Sequence, residues 1–447
     1  MMRLIIIQSI FLLTGSLFIT SSGYTQEKWT LEDCIEYALE KNIAIKRQEI
    51  SARQATNDYK QSKMERLPAV SGRASHSFRS GRTFSYDILE YVNQEYQYGQ
   101  ITLQGDLTVF SGFEAQHSIK KNEYDMKAQL SGIEEAKYDV TMNIVTYYLN
   151  VLSNIEQQQI KEEQLDVTLE QIEQTKQEVE VGNKSKGDLL EIKAQASRER
   201  LELTRAKNNL KLAYLDLRQL MNLDTTESFR IKSPEDFTSL SENAVKTTNT
   251  IYSESVNEFP SIGHAKYQMK SAEKNLKIVQ SKRLPHLSLG AQYGTYYDEL
   301  RKDQFNLAYD RQISENMSLI ASLQLSIPIF NKRRIHNQVS NAKLDVLDSK
   351  YWLEQQKQDL YKDIEKARNE VISAYEEYQS NLESLESMEE AFNYSQEKYN
   401  AGLVDIVEYR IAKNNYNSAK SDAVSSRYFY LFKMKILEFY MGKEMEI

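Results

Sequence analysis

Short runs of strict alternation and very long runs of three- and four-residue spacing divide this chain between them. Ile101, Leu103, Gly105, Leu107 and Val109 alternate with Thr102, Gln104, Asp106 and Thr108. Farther on, Leu319, Ala321, Leu323, Leu325, Ile327 and Ile329 alternate with mostly polar neighbours, Ser318, Ser322, Gln324 and Ser326. Successive strand side chains point to opposite faces, so each run predicts a strand with one apolar and one polar face. Val70 to Phe78 and Leu287 to Tyr297 show the pattern more weakly, and Tyr293, Tyr296 and Tyr297 suit an aromatic girdle at a lipid–water boundary. A half-buried soluble sheet gives the same alternation. Length and flanks favour a membrane: a tilted spanning strand needs about 9–11 residues. Ser80 to Tyr98 and Leu300 to Glu315 read as long polar loops at one end, while helices begin at the other. Four such strands cannot close a barrel, and lipid cannot satisfy an open strand edge. Spanning therefore demands oligomerisation, about eight strands in a dimer or twelve in a trimer, and the pattern does not choose between them.

The long runs predict helices of unusual length. Residues 114–181 and 332–401 contain no proline, and an unbroken helix of that size is about 100 Å long. Val140, Ile144, Tyr147 (or Tyr148), Val151 and Ile155 trace a narrow apolar stripe among charged and amide residues, the signature of coiled-coil packing. Leu189, Ile192, Ala196, Leu203, Leu210 and Leu217 trace a second stripe on the returning helix. A freestanding coiled-coil hairpin is the plainer alternative.

The whole plan is written twice. Phe110 and Phe330, Gly182 and Gly402, Asp188 and Glu408, Met221-Asn222 and Met441-Gly442 are all separated by 220 positions. Arg66-Leu67-Pro68 and Arg283-Leu284-Pro285 are separated by 217. Each unit runs helix (about Leu31 to Glu65, about Ser261 to Lys282), Leu-Pro stop, two strands, long helix, glycine turn, second helix. The expected division is a signal peptide at 1–25, a first repeat at 26–222, an equatorial connecting segment at 223–258, a second repeat at 259–442 and a tail at 443–447. The signal reading rests on Arg3, the apolar run to Ile19 and the small residues Ser21-Ser22-Gly23; a signal anchor is its alternative.

The two turns are the candidate functional sites. Gly182 and Gly402 can close the long helices in a left-handed conformation, and Asp188 or Asp405 can cap or flank the next helix. The functional reading is a gate: Asp188, Glu191, Asp405 and Glu408 ringing the far end of a tunnel, where repeated carboxylates select cations and raise one another's pKa.

Composition narrows the rest. The net charge of −8 argues against nucleic acid, and mean hydropathy is −0.61, a value that barrel strands do not disturb. The single cysteine, Cys34, permits no internal disulfide and is not placed for lipid attachment. Five histidines show no zinc spacing, and no metal, cofactor or catalytic constellation is apparent. Gly182-Asn183-Lys184-Ser185-Lys186-Gly187 echoes a phosphate loop, but Asp188 stands where lysine is required.

Trp29-Thr30-Leu31-Glu32-Asp33-Cys34-Ile35-Glu36-Tyr37-Ala38-Leu39, the paired Leu-Pro stops and the two Gly-x5-acid turns together resemble the TolC outer-membrane efflux family. The resemblance implies a mixed α and β membrane fold: long antiparallel helical hairpins continuous with four transmembrane strands per chain, two tandem repeats and a trimeric, 12-stranded barrel above a periplasmic tunnel. It implies a passive, non-enzymatic duct in the outer membrane of a Gram-negative bacterium, in contact with outer-membrane lipid, serving tripartite efflux or type I secretion. Its implied partners are a periplasmic membrane-fusion adaptor, docked at Gly182, Gly187, Gly402 and Leu403, and an inner-membrane transporter. The family's acidic gate position carries over to Glu408; its second position is Ile411 here, leaving a doubled gate in question. The competing class is a periplasmic coiled-coil adaptor or scaffold without a pore.

Overall fold

The computed structural model describes residues 28–85, 89–224, 229–232, 246–299 and 308–442. The expected signal peptide and C-terminal tail lie outside them. The chain opens with helix α1 (Leu31–Lys41), closed at its N-terminus by a reciprocal Thr30–Asp33 capping box, and α2 (Ile43–Met64). The expected single helix from Leu31 to Glu65 is thus two. Asn42 breaks it in extended geometry (φ −61°, ψ 130°), its Oδ1 accepting from the Ala44 N–H at 2.8 Å. Its Nδ2 donates to the Leu220 carbonyl at 2.8 Å, which satisfies a buried amide across the fold.

Strands β1 (Ala69–Ser85), β2 (Glu90–Phe110), β3 (His286–Asp298) and β4 (Ser318–Ser326) form one antiparallel sheet in chain order. Register carries the alternation across the sheet: Gly72 faces Leu103, Leu103 faces Tyr293, and Tyr293 faces Leu319. Val70, Ile101, Leu103, Leu289, Leu319, Leu323 and Leu325 are all exposed, making a continuous apolar face too large for water to tolerate comfortably.

Four expectations about the sheet need correction. The described residues of 80–98 are largely strand and not loop: β1 and β2 stay paired from Ser80↔Glu95 out to Ser85↔Glu90, because their polar and aromatic residues still form cross-strand pairs such as Phe84–Tyr91. On the second side, helix α7 (Tyr309–Glu315) occupies the described end of the supposed loop. β4 stops at Ser326, short of Ile329, since Pro328 cannot donate to a ladder. Finally, only Tyr293 suits a girdle. Tyr296 projects to the opposite face and stacks on Tyr98, and Tyr297 is buried beneath Tyr309.

From the sheet two helices of equal length descend, α3 (Glu114–Glu180) and α8 (Arg334–Asn400), each 67 residues. They return as α4 (Lys186–Met221) and α9 (Ile406–Tyr440). Between α4 and α8 lie α5 (Thr248–Ser255) and α6 (Pro260–Ser281). α2 packs on α3, while α6 packs on both α3 and α8. No described helix is long and apolar enough to cross a membrane.

The main core sits halfway down α3, where α1, the end of α4, the Phe229–Ile231 segment and α9 converge. Here the narrow stripe broadens: Val145, Leu149 and Leu152 are buried alongside Val140, Ile144, Tyr148 and Val151, and Tyr148 rather than Tyr147 is the inward ring. The cause is a second covering layer. Trp29 bridges Ile231 in parallel, and the Tyr148 hydroxyl donates to the Lys232 carbonyl at 2.6 Å. A second core gathers α5, α6, α8 and α9 around Ile251, Ile364 and Leu437.

Candidate functional site: the hairpin tips

Each long helix ends in a glycine with left-handed backbone, Gly182 at φ +85° and Gly402 at φ +71°. Helices that end this way satisfy their last carbonyls through the residues that follow. The Asn183 N–H donates to the Glu178 carbonyl at 2.8 Å, and the Leu403 N–H to the Lys398 carbonyl at 2.9 Å. The next helix starts at once. Ser185 accepts from the Asp188 N–H while the Asp188 carboxylate accepts from the Ser185 N–H, a complete capping box. In the second turn Asp405 accepts from the Glu408 N–H at 2.9 Å.

The four candidate gate carboxylates therefore differ in circumstance. Asp188 and Asp405 are occupied as caps. Glu191 forms an ion pair with Arg410 at 3.5 Å. Glu408 is exposed, with no ion pair to a described residue. Among the docking candidates, Gly182, Gly187, Gly402 and Leu403 all lie on the outer surface of the turns, and Leu403 is 75% exposed beside Val181 (71%) and Leu190 (67%) on the other turn.

Several residues at the tips were not singled out in the sequence. Lys184 reaches from the first turn to Tyr399 of the second hairpin, donating to its hydroxyl at 3.0 Å with its ammonium 4.2 Å from the ring centre. Glu178 accepts a salt bridge from the same ammonium at 2.7 Å. These partners hold the Lys184 proton more firmly than burial loosens it, leaving its pKa raised. Tyr399 stacks on Tyr409 (4.9 Å), Tyr409 packs near Phe392 (5.8 Å), and Phe392 stacks on Tyr416 (5.4 Å). The Gln171 amide donates to the Tyr409 hydroxyl from α3. The two hairpins of one chain are thus laced together at their ends. A repeated Gly-x5-acid spacing could locate the turns but not these cross-hairpin contacts.

An exposed apolar sheet standing on two very long helical hairpins is the architecture of a membrane duct protein. The sequence profile of the Outer membrane efflux protein family matches residues 34–223 and 251–443, and the chain belongs to that family. It is an outer-membrane efflux channel protein, with its helical tunnel in the periplasm of a Gram-negative bacterium. Family membership leaves nothing in favour of the poreless adaptor. It resembles Outer membrane protein TolC of Escherichia coli K12, at 21% identity over 77% of this chain and 74% of that protein. An uncharacterised Haemophilus influenzae protein is 22% identical over 70% of this chain and 66% of its own length. Among solved structures, CusC superposes with a TM-score of 0.78 at 16% identity, covering 93% of this chain and 92% of that one. The Campylobacter jejuni CmeC outer membrane channel gives 0.75 at 18%, covering 92% and 85%. Members of this family are channel proteins rather than enzymes.

Proposed function

We propose that three copies of this chain close a 12-stranded barrel over a helical tunnel, forming the passive exit duct of a tripartite efflux or type I secretion assembly. The single observation that carries this reading is the four-stranded sheet with an apolar outer face and two open edges. In lipid an open edge strands its N–H and C=O groups, so β1 of one copy must pair with β4 of the next. The helices support the same ring. α6 lies between α3 and α8, whereas its counterpart α2 packs along α3 and, among the described helices, against no second long helix. Exposed Ile43 and Ile50 (60% and 55%) and exposed Leu344 and Tyr351 (61% and 66%) are the faces that a neighbouring copy would cover. Two tandem units per chain, 26–222 and 259–442 joined by 223–258, then give six quasi-equivalent hairpins around the axis.

At the lower end, Glu408 is the best candidate for an acidic ring, because the other three carboxylates already serve caps or an ion pair. The exposed apolar rim of Val181, Leu190 and Leu403, beside Gly182, Gly187 and Gly402, supports docking of a periplasmic adaptor, which connects to an inner-membrane transporter supplying the energy. The experiment is the native mass of the protein extracted from outer membranes in detergent without heating. A detergent-requiring trimer is the expected result; a monomer that stays soluble without detergent sinks the duct.

A further inference from the structure

The chain carries a net charge of −8, yet the stretches 274–283 and 327–344 contain no aspartate or glutamate at all. Both stretches lie where the second strand pair meets its helices: α6 ends at Ser281 and β3 begins at His286, while β4 ends at Ser326 and α8 begins at Arg334. Lys277, Lys282, Arg283, Lys332, Arg333 and Arg334 are exposed there. None forms an ion pair with a carboxylate among the described residues, although the long helices elsewhere are studded with such pairs. The field of this cluster reaches its neighbours: the His117 imidazole, on the adjoining end of α3, is depressed by burial and then by Lys274 and Lys277. At the equivalent junction of the first strand pair the cations Lys60, Lys63 and Arg66 are interleaved with Asp58, Glu65 and Glu114. The carboxylate-free patch belongs to one side of the chain alone.

Two more observations give the patch a direction. It adjoins exposed apolar residues, Leu284 (44%), Ile329 (94%) and Phe330 (83%), so hydrocarbon-seeking and cationic groups meet at one level. And Lys332 and Arg333 both hold left-handed backbone, φ +52° and +62°. Consecutive non-glycine residues rarely adopt it, because each pays a steric penalty. The positions 220 earlier are Gly112 (φ +64°) and Phe113 (φ +69°), and there a Cβ on Gly112 would lie 2.7 Å from the Ser281 carbonyl oxygen. Glycine relieves this turn in one junction; the other retains lysine under strain.

We infer that this cluster is a docking surface for the anionic headgroups of phospholipid in the periplasmic leaflet of the outer membrane. The inference rests on the spanning sheet proposed above. The phosphodiester of an acidic lipid supplies the charge that the cluster lacks. The long Lys and Arg stems can lie along the apolar rim with their heads at headgroup depth. Each cation near an anionic membrane surface contributes about a fivefold preference, so six at the foot of one strand pair favour acidic over zwitterionic lipid strongly, and three copies would set a ring of such sites around the barrel foot.

The test uses the full-length protein in detergent, titrated separately with phosphatidylglycerol, phosphatidylcholine and inorganic phosphate, and read by native mass spectrometry for lipid retained per chain. The variants are Lys332→Gly with Arg333→Asn, which suit the left-handed turn, and separately Lys277→Gln with Lys282→Gln and Arg283→Gln. The parent should retain phosphatidylglycerol over phosphatidylcholine, each variant should lose at least about tenfold of that preference, and inorganic phosphate should not displace the lipid. Oligomer mass and thermal midpoint should hold, the Lys332→Gly change if anything raising the latter. Equal preference in parent and variants overturns the inference. So does displacement by free phosphate, or lipid retention unchanged while pore ion selectivity shifts, which would put the charges on the lumen. A detergent-bound oligomer with no lipid preference removes the patch and leaves the duct standing; a soluble monomer removes both.

Discussion

Gly182 and Gly402 occupy the same backbone conformation as Gly112 but stand in different surroundings. A Cβ at either turn meets nothing within 4 Å, whereas one at Gly112 meets both Ser281 and Leu284 inside 3 Å. Gly402→Ala should therefore cost only the conformational penalty, about 1–2 kcal/mol, visible as faster hydrogen exchange at the Leu403 amide with the barrel unaffected. Gly112→Ala adds a clash and should cut the yield of assembled protein. Cys34 makes a second residue-level prediction. It is wholly buried and its thiol is pushed up to about 12 by burial, with Asp33 and Glu32 adding to the effect. Native protein at pH 8 should resist maleimide for hours and react within minutes once unfolded; rapid native labelling would contradict the packing of α1. The glycines were legible from sequence because left-handed turns have few other solutions. Lys184, Tyr399 and Arg410 were not, since their contacts depend on the stagger of two separate hairpins, which no local pattern encodes.

Where α3, α4 and α9 meet, Lys413 is buried at 5% exposure, its ammonium donating to the Thr168 hydroxyl at 2.8 Å. Glu199 on α4 is buried nearby, and Tyr409, Arg410 and Glu191 border the same small cavity. Burial depresses Lys413, and Glu199 offsets part of that. The folded pKa thus lies below the ordinary lysine value of 10.5. The unfolded chain holds more protons in the window beneath that value, and this group's contribution to stability rises as pH climbs through it. Replacing both partners, Lys413→Met with Glu199→Gln, should remove that slope and leave the protein as stable or more so, by about 1–4 kcal/mol, in denaturant melts from pH 7 to 10. Helix lengths were readable almost to the residue, because nothing interrupts 114–180 or 334–400 and glycine turns follow each. The outer reach of β1 and β2 was not. Beyond the hydrocarbon a strand needs no apolar face, so Ser80 to Tyr98 carries polar residues and reads as loop.

In the proposed ring the decisive surface would be α8 against the α2 of a neighbour. Leu344→Glu with Tyr351→Glu places charge on residues that are exposed in one chain but covered in a closed ring. Helix content by circular dichroism should be unchanged, while the detergent-extracted species should fall from trimer towards monomer. At the tips, Glu408→Ala should weaken cation selectivity in single-channel recordings; unchanged selectivity would deny it a place on the pore axis. The two long hairpins were visible in their uninterrupted spacing and glycine turns, but the covering of α3 by α1 and Phe229–Ile231 was not, because the layers that bury Val145 and Leu152 come from distant segments of low periodicity.

Each long helix is sheathed first by a 22-residue partner near the membrane, then by a 36- or 35-residue partner below. On the first side, the ends of the two sheaths are stitched by Asn42 to Leu220. The wall is a scarf joint: no cut in one layer coincides with a cut in the other. Length can therefore be added below the joint as matched pairs of turns, seven residues lengthening each strut by about 10 Å. The membrane end would not register the change, which makes the protein's reach a quantity that can be graded independently of its bore.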